Sequence, residues 1–423
     1  MVKTFQLKNN IDVVLEDNPH VRTISLGIWI KNGSVDEDES NNGISHFVEH
    51  MLFKGTLKRT TKDIAEEMSE VGGRINAFTG KEYMCYYAHV LNDHFDVALD
   101  VLSDMICNPK IDAEDIEKEK KVIMEELSMY EDSPEDVVND GLKNAIWPDH
   151  PIGYNIIGTA DNIKSFSADT IREYLAEHYI GQQIVISVVG HLEKTEVILA
   201  KLEESFKSIQ KGELKRRTRK VTYNRVFENY DKDIEQAHLC MAFPTIPYDS
   251  EDIYKLAIIN TLIGGGLNSR LFQRIREDRG MAYSIYSFTE NYQHGGLFVI
   301  YAATTPAQLN EVVGYILEEL DKIIETGFNS KELASTKEQI KSNLIIGLES
   351  MNARMSSYGK SKLILNRIKS QDLIIKKINA VTMKGLTEFL IKMLKYSEMS
   401  IAITGPKADI DIEGIKKRWK DLE

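Results

Sequence analysis

The chain has 423 residues, of which 42% are apolar and 28% are charged, a composition typical of globular proteins and unlike that of disordered or fibrous ones. Its formal net charge of −13 argues against binding to nucleic acid. Three widely spaced cysteines argue against both a disulfide scaffold and a cysteine-based zinc cluster. The N-terminal residues lack the features of a secretion signal, and no apolar run reaches membrane-spanning length. These features predict a cytoplasmic protein with several compact units and no membrane contact.

Strand-like and helix-like segments alternate from the N-terminus. Residues 23–31 alternate apolar and polar side chains and predict a half-buried strand. A helix is expected to begin near Ser45 and to end by Gly55, and the next helix is expected to be capped at Thr60 and Thr61. Gly72 and Gly73 end that helix before the strand-like residues 74–90. The pattern predicts an α+β fold.

An internal repeat divides the chain. Residues 163–190 align without gaps to residues 378–405, and both stretches show a cap, an amphipathic helix, an apolar strand and a glycine. Ser167 and Thr382 fall at the same predicted N-cap position. We therefore expect two homologous halves, an N-terminal domain at residues 1–215 and a C-terminal domain at residues 216–423, joined within residues 211–219.

The sharpest chemical signal is a pair of histidines separated by one helical turn. His46 and His50 are four residues apart, so on a helix both imidazoles project from one face and can bind one ion. Glu49 leans over the same face, near enough to touch a metal-bound water without binding the metal. This is the H-x-x-E-H arrangement. The alternative is a helix that carries two ordinary solvated or core histidines.

A catalytic zinc site needs a third protein ligand, for which the predicted helix at residues 114–130 is the candidate. At 100° per residue, Glu119 and Glu126 flank its apolar face, whereas Glu125 points the other way. Carboxylates on a packing face are costly unless they meet a cation or strong donors. The alternative is that either glutamate pairs with a nearby lysine or arginine. With the two histidines considered, we expect Glu126 to bind a metal and Glu119 to support the site.

These motifs resemble the pitrilysin (insulinase) family of inverzincin metallopeptidases, in the branch close to the mitochondrial processing peptidase and its bacterial relatives. The resemblance rests on residues 46–56 and on Glu126, which follows His50 by 76 residues. It implies two homologous halves, each a mostly antiparallel sheet flanked by helices, arranged as a clamshell dimer. It also implies that His46, His50 and Glu126 bind Zn²⁺, that Glu49 is the general base, and that Glu119 supports catalysis.

The resemblance further implies an activity and a way to hold the substrate. The expected activity is that of a zinc-dependent endopeptidase, which hydrolyses short or unfolded peptides by attack of a metal-activated water. The strand after Gly73 would hold the extended substrate through Asn76, Ala77 and Phe78. From composition alone, an ordinary sheet strand would be the better interpretation.

A glycine-rich segment lies in the second half, at residues 263–272. It lacks the Gly-Lys-Ser/Thr ending of a phosphate-binding loop, so nucleotide binding is weakly supported. Arg276 and Tyr283 follow it, and taken alone they suggest a surface arginine and a core tyrosine. In the resembling family an arginine and a tyrosine at this spacing hold a peptide carbonyl and stabilise the oxyanion.

One H-x-x-E-H motif per chain leads to a hypothesis about assembly. We expect a homodimer in which Arg276 and Tyr283 of one subunit serve the zinc site of the other. The main alternative function is a catalytically inactive structural subunit with the same fold. A metal hydrolase acting on non-peptide esters or amides is a poorer alternative, because it leaves the substrate strand and the Arg/Tyr pair unexplained.

Overall fold

The computed structural model describes residues 2–212 and 221–422. Within them the chain forms two compact α+β units, each with its own sheet and core. The first unit comprises residues 2–127, 154–212 and 345–369, and the second comprises residues 128–153, 221–344 and 370–422. The predicted boundary between residues 215 and 216, and most of the predicted join, lie outside the described residues.

The helices have the following bounds in chain order: α1 (Ile44–Leu52), α2 (Thr61–Glu70), α3 (Phe95–Cys107), α4 (Ala113–Asp132), α5 (Pro134–Ile146), α6 (Ala160–Ser165), α7 (Ala168–His178), α8 (Thr195–Ser205), α9 (Ile253–Ile263), α10 (Leu309–Thr326), α11 (Ser330–Gly347), α12 (Met351–Leu365), α13 (Gln371–Ala380), α14 (Met383–Met393) and α15 (Ile412–Lys420). Short 3₁₀ turns and one π-helical segment, Phe272–Glu277, complete the helical structure of the described residues. None of the helices in residues 2–212 and 221–422 is both long enough and apolar enough to cross a membrane.

The strands fall into two sheets with related topology. Their bounds are β1 (Val2–Gln6), β2 (Asp12–Asp17), β3 (Thr23–Ile30), β4 (Arg74–Thr79), β5 (Met84–Leu91), β6 (Ile184–Gly190), β7 (Phe227–Asp231), β8 (Ala237–Thr245), β9 (Ser284–Tyr292), β10 (Gly295–Thr304) and β11 (Ser400–Gly405). The first sheet has the order β1-β2-β6-β3-β5-β4, and the second has the order β7-β11-β8-β10-β9. Each sheet is antiparallel except for one pair, β2 with β6 and β7 with β11. The predicted α+β class with mostly antiparallel sheets is confirmed.

The repeat seen in the sequence corresponds to the same local structure in both units. Ser167 caps α7 and Thr382 caps α14, each through a side-chain oxygen that accepts a backbone N–H three residues on. Each capped helix leads into a buried strand, β6 or β11, which forms the one parallel pairing of its sheet. The two units therefore repeat one arrangement of strands, and β1 is an addition to the first.

A helix from the second half of the sequence covers one face of the first sheet. This helix, α12, packs on β3 and β6. Gly359 permits the close approach, because a Cβ at this position would lie 2.2 Å from the Trp29 indole nitrogen. Ion pairs hold the same helix, with Arg354 at 3.1 Å from Glu16. The other face of the sheet packs on α1, α3, α7 and α8 through a continuous apolar core.

The second sheet shows the reciprocal arrangement. Here α5, from the first half of the sequence, packs on β7, β8 and β11. Gly141 lets it approach Tyr230, whose ring would lie 2.5 Å from an added Cβ. The buried Lys143 ammonium pairs with Asp140 at 3.0 Å and with Glu290 at 3.4 Å. Each unit is therefore completed by a helix from the other half of the sequence.

Candidate metal centre and active site

The two motif histidines lie on α1. This helix begins after Gly43, whose φ of 101° is a left-handed conformation that favours glycine. His46 and His50 lie one turn apart with ring centroids separated by 4.6 Å. Phe47, Val48 and Met51 point into the core and fix which face of the helix the imidazoles occupy.

Glu126 on α4 completes a three-residue group with these histidines. One of its carboxylate oxygens lies 3.7 Å from His46 Nε2, and the other lies 3.4 Å from His50 Nε2. The three potential ligand atoms lie within 4.8 Å of one another. Glu125, the next residue, is exposed. Within the described residues, no other set of three or more His, Cys, Asp or Glu side chains meets the same geometry.

Glu119 orients His50. It is 3% exposed, and its Oε1 accepts a hydrogen bond of 2.8 Å from His50 Nδ1. Its other oxygen forms an ion pair with the Lys54 ammonium at 2.5 Å. Burial alone would raise the pKa of Glu119, but His50 and Lys54 outweigh it and lower the pKa below its usual value. The carboxylate is therefore ionised at neutral pH.

The ring nitrogens of His46 and His50 and the carboxylate of Glu126 are suited to binding a metal cation. Because His50 Nδ1 is hydrogen-bonded to Glu119, its Nε2 is the ring nitrogen that faces Glu126 and is available to a metal ion. Burial lowers the pKa of His46 to about 4, so its imidazole is neutral at neutral pH, as a metal ligand must be. Two imidazole nitrogens and one carboxylate oxygen form a ligand set that suits zinc and leaves a coordination position for water.

Glu49 projects from the same helix but is not part of the three-residue group. Its carboxylate accepts a short hydrogen bond from the Thr79 hydroxyl on β4. Burial raises the pKa of Glu49 above its usual value, and the Thr79 hydrogen bond and the nearby His50 partly oppose that rise. A carboxylate with a raised pKa beside a metal position can act as a general base.

β4 is the edge strand next to this cluster. It pairs with β5 on one side and forms one end of the sheet. Ala77 and Thr79 face α1, whereas the side chains of Asn76 and Phe78 point to the opposite face, where Phe78 packs against Trp29. The predicted substrate residues therefore lie on both faces of one edge strand.

Arg276 and Tyr283 belong to the second unit. Arg276 lies in the π-helical segment, and its guanidinium carbon is 4.7 Å from the centroid of the Tyr283 ring. Tyr283 is 76% exposed. The pair lines a surface pocket of about 450 Å³ together with Gly264, Gly265 and Gly266. The structure thus brings five predicted residues together around α1, and it brings the predicted Arg/Tyr pair together beside the glycine-rich loop.

Three residues with a place in this site were missed by sequence reasoning. Thr79 binds Glu49, Lys54 binds Glu119, and Glu37 binds the start of α1. Strand alternation could have found Thr79, because it shares a face with Ala77. No sequence signal of comparable strength marks Lys54 or Glu37.

Comparison with known proteins agrees with this geometry. The family profile "Insulinase (Peptidase family M16)" matches residues 12–160, and the profile "Peptidase M16 inactive domain" matches residues 165–340. An uncharacterized zinc protease of Bacillus subtilis, YmxG, is 40% identical over 410 residues, which cover 97% of this chain and 100% of the relative. The chain belongs to the M16 (insulinase) family of peptidases.

Other M16 relatives and solved structures extend the match. An uncharacterized zinc protease of Streptomyces coelicolor is 35% identical over 420 residues, 96% of this chain and 90% of the relative. Two crystal structures share the fold of this chain at 19% identity: a peptidase M16 inactive domain from Pseudomonas fluorescens, with a TM-score of 0.90, and a protease from Helicobacter pylori, with a TM-score of 0.89. Each match covers 96% of this chain and at least 98% of the solved chain.

Proposed function

We propose that this chain is a zinc-dependent endopeptidase that hydrolyses short or unfolded peptides. The observation that carries the proposal is the convergence of His46, His50 and Glu126 on one point beside Glu49. Membership of the M16 family, and relatives whose names describe zinc proteases, support it.

His46 Nε2, His50 Nε2 and the Glu126 carboxylate would hold the zinc ion. When bound, zinc supplies a positive charge that polarises a peptide carbonyl and acidifies water. Glu119 keeps the His50 ring in the tautomer that ligation needs, and Lys54 keeps Glu119 ionised.

Glu49 would handle the proton of the reaction. It would accept a proton from the attacking water and deliver it to the leaving amine. The Thr79 hydroxyl fixes the direction of its carboxylate. Cys85 does not compete for this role, because burial keeps its thiol pKa well above the usual value.

An extended peptide would add to the free edge of β4. Backbone hydrogen bonds to an edge strand are largely independent of side chain, so this mode suits varied unfolded sequences. Asn76, Ala77 and Phe78 would hold the peptide in that position. Phe78 presents a partly exposed ring, packed at its base against Trp29.

Arg276 and Tyr283 would hold a peptide carbonyl and stabilise the oxyanion. As part of the proposal, the chain forms a homodimer in which this pair acts on the zinc site of the partner subunit. Two inactive variants, Glu49→Gln and Tyr283→Phe, should then regain part of the activity when mixed as dimers. Strict absence of rescue in verified mixed dimers would contradict the action in trans.

The decisive experiment for the activity is a digest of a peptide library with the zinc-loaded chain, read by mass spectrometry. We expect cleavage products that disappear with a chelator and return when zinc is restored. The Glu49→Gln chain, loaded with zinc to the same content, is the matched control and should yield at least about 100-fold less product. A wild-type chain that binds zinc but cleaves no peptide would favour the catalytically inactive structural subunit.

A further inference from the structure

The two candidate zinc-binding histidines are held in different ways. His50 donates its Nδ1–H to Glu119, which fixes the ring. The Nδ1 of His46 is buried and, within the described residues, has no hydrogen-bond partner. Zinc-binding histidines are usually oriented by a partner on the second ring nitrogen. The placement of His46 must therefore come from the backbone that carries it, and His46 is the third residue of α1.

Glu37 holds the start of that helix. It is 1% exposed and lies in the loop before α1. Its Oε2 accepts the backbone N–H of Gly43 at 2.8 Å, and its Oε1 accepts the backbone N–H of Ser45 at 2.9 Å. Asn42 donates its side-chain amide to Oε2 at 2.9 Å. One carboxyl group thus binds two N–H groups of the helix start, which would otherwise lack partners.

Neither residue at the helix start can replace this contact. Gly43, at the N-cap position, has no side chain, and a Cβ there would lie 2.3 Å from the Ile157 carbonyl oxygen. The Ser45 hydroxyl is engaged with the Tyr174 hydroxyl at 2.8 Å. The cap that most helices take from their own first residue is therefore supplied here from six residues upstream of Gly43.

We propose that Glu37 is a positioning residue of the metal site, which sets the start of α1 and thereby places His46 for metal binding. This inference rests on the proposed zinc site. Glu37 acts on His46 through the backbone, as Glu119 acts on His50 through the ring, and so each histidine has one buried glutamate that fixes it.

The test compares two substitutions in one loop. In Glu37→Gln, either orientation of the amide turns an NH₂ group towards a backbone N–H, so one of the two caps is lost. Glu39→Gln makes the same carboxyl-to-amide change at an exposed position of the same loop and is the matched control. Zinc affinity is measured by competition with a chromophoric chelator at fixed pH. We expect a loss of about 10–100-fold for E37Q, the range found for outer partners of metal ligands, and none for E39Q.

A purely structural role would lower the melting temperature of E37Q without changing the metal site. The visible spectrum of the cobalt-loaded protein separates the two cases, because it reports ligand geometry. We expect the bands of E37Q to shift and those of E39Q to match wild type. If E37Q does not fold, Glu37→Asp replaces it. Aspartate is one methylene shorter and cannot reach both N–H groups, so an intermediate loss of affinity is expected.

Folded E37Q or E37D with wild-type zinc affinity and an unchanged cobalt spectrum would overturn the role of Glu37. A wild-type chain that binds no zinc would instead overturn the proposed metal site. The two failures are therefore distinct.

Discussion

In both units, a hydroxyl on the edge strand donates a hydrogen bond to the neighbouring helix, but the acceptor residue differs. In the first unit, the Thr79 hydroxyl on the edge strand β4 donates to Glu49 on α1. In the second unit, the Ser287 hydroxyl on the edge strand β9 donates to the Asn260 amide oxygen on α9 at 2.8 Å. A carboxylate can take up a proton, whereas an amide cannot. The shared fold supplies the contact, and the residue type of the acceptor decides whether it can serve acid–base chemistry.

The two edge strands also differ in what covers them. The Gly264 carbonyl accepts the Ser287 backbone N–H at 3.1 Å, and a Cβ on Gly264 would lie 2.4 Å from that nitrogen. In β4, the Ala77 N–H is met by the side chain of its neighbour Asn76 at 2.8 Å. A side chain can rotate away at little cost, but a packed backbone cannot. The edge beside Glu49 is therefore the better suited to accept a peptide.

The largest effect is expected from removing Glu126, the candidate carboxylate ligand, because no comparable metal-binding group occurs in the described residues of the second unit. Glu126→Ala should abolish tight zinc binding and all peptidase activity, because two histidines alone leave the ligand set incomplete. Zinc content per chain, measured by atomic absorption after dialysis, tests this. Glu125→Ala, the neighbouring exposed residue, should retain both zinc and activity. Equal zinc content in the two variants would contradict the assignment of Glu126.

Glu49→Gln gives α1 an amide acceptor like the one in α9. We expect kcat to fall by about 10²–10⁴-fold, the usual contribution of a general base, while zinc content stays at the wild-type level. Steady-state kinetics and metal analysis of one preparation measure both quantities. Loss of zinc together with activity would show that Glu49 supports the metal instead of handling the proton.

A third prediction concerns the edge-strand hydroxyl, which both units have at equivalent positions and which in the first unit belongs to Thr79. Thr79→Val keeps the shape of the side chain and should lower kcat by about 10–100-fold, because one hydrogen bond to a charged group contributes about 1.5–3 kcal/mol. Thr79→Ser retains the hydroxyl and should recover most of the rate. A valine variant as active as the serine variant would show that Thr79 does not position Glu49.

The smallest effects concern α5 and α12, each of which packs on the sheet of the unit formed mainly by the other half of the sequence. Gly359→Ala and Gly141→Ala place a methyl group against Trp29 and Tyr230, and each should lower the free energy of unfolding by about 1–3 kcal/mol. Alanine favours a helix by about 1 kcal/mol over glycine, which offsets part of this cost. Gly347→Ala meets no atom within 4 Å and should be neutral or stabilising. Urea unfolding of the three variants ranks them, and equal stability would contradict the packing argument.

Sequence patterns placed each candidate metal ligand on the correct face of its own helix, because that placement depends on local spacing. Helical spacing placed His46 and His50 on one face, and the 100° rotation per residue chose Glu126 over Glu125. The repeat predicted both N-caps, Ser167 and Thr382. Each of these inferences needed no more than one element or one alignment.

What the sequence could not supply depends on packing between distant segments. Glu37 binds backbone N–H groups, which nearly every residue type has, so the sequence at Gly43 and Ser45 does not reveal the contact. Lys54, which follows the end of α1, contacts Glu119 on α4, 65 positions further along the chain. The positions of α5 and α12 follow from which sheet face is open to them, and the periodicity of a helix does not identify its partner.

The position of α12 in the first unit also has a consequence for folding during synthesis. The first sheet, against which α1 packs, lacks its covering helix until α12, which ends at Leu365, has left the ribosome. At about 5–20 residues per second, synthesis from α1 to that point takes tens of seconds, longer than a small domain needs to fold. Trp29 and its apolar neighbours remain uncovered during that interval. We therefore expect the nascent chain to be a chaperone client, and the residues of the candidate metal centre are synthesised long before the unit around them is complete.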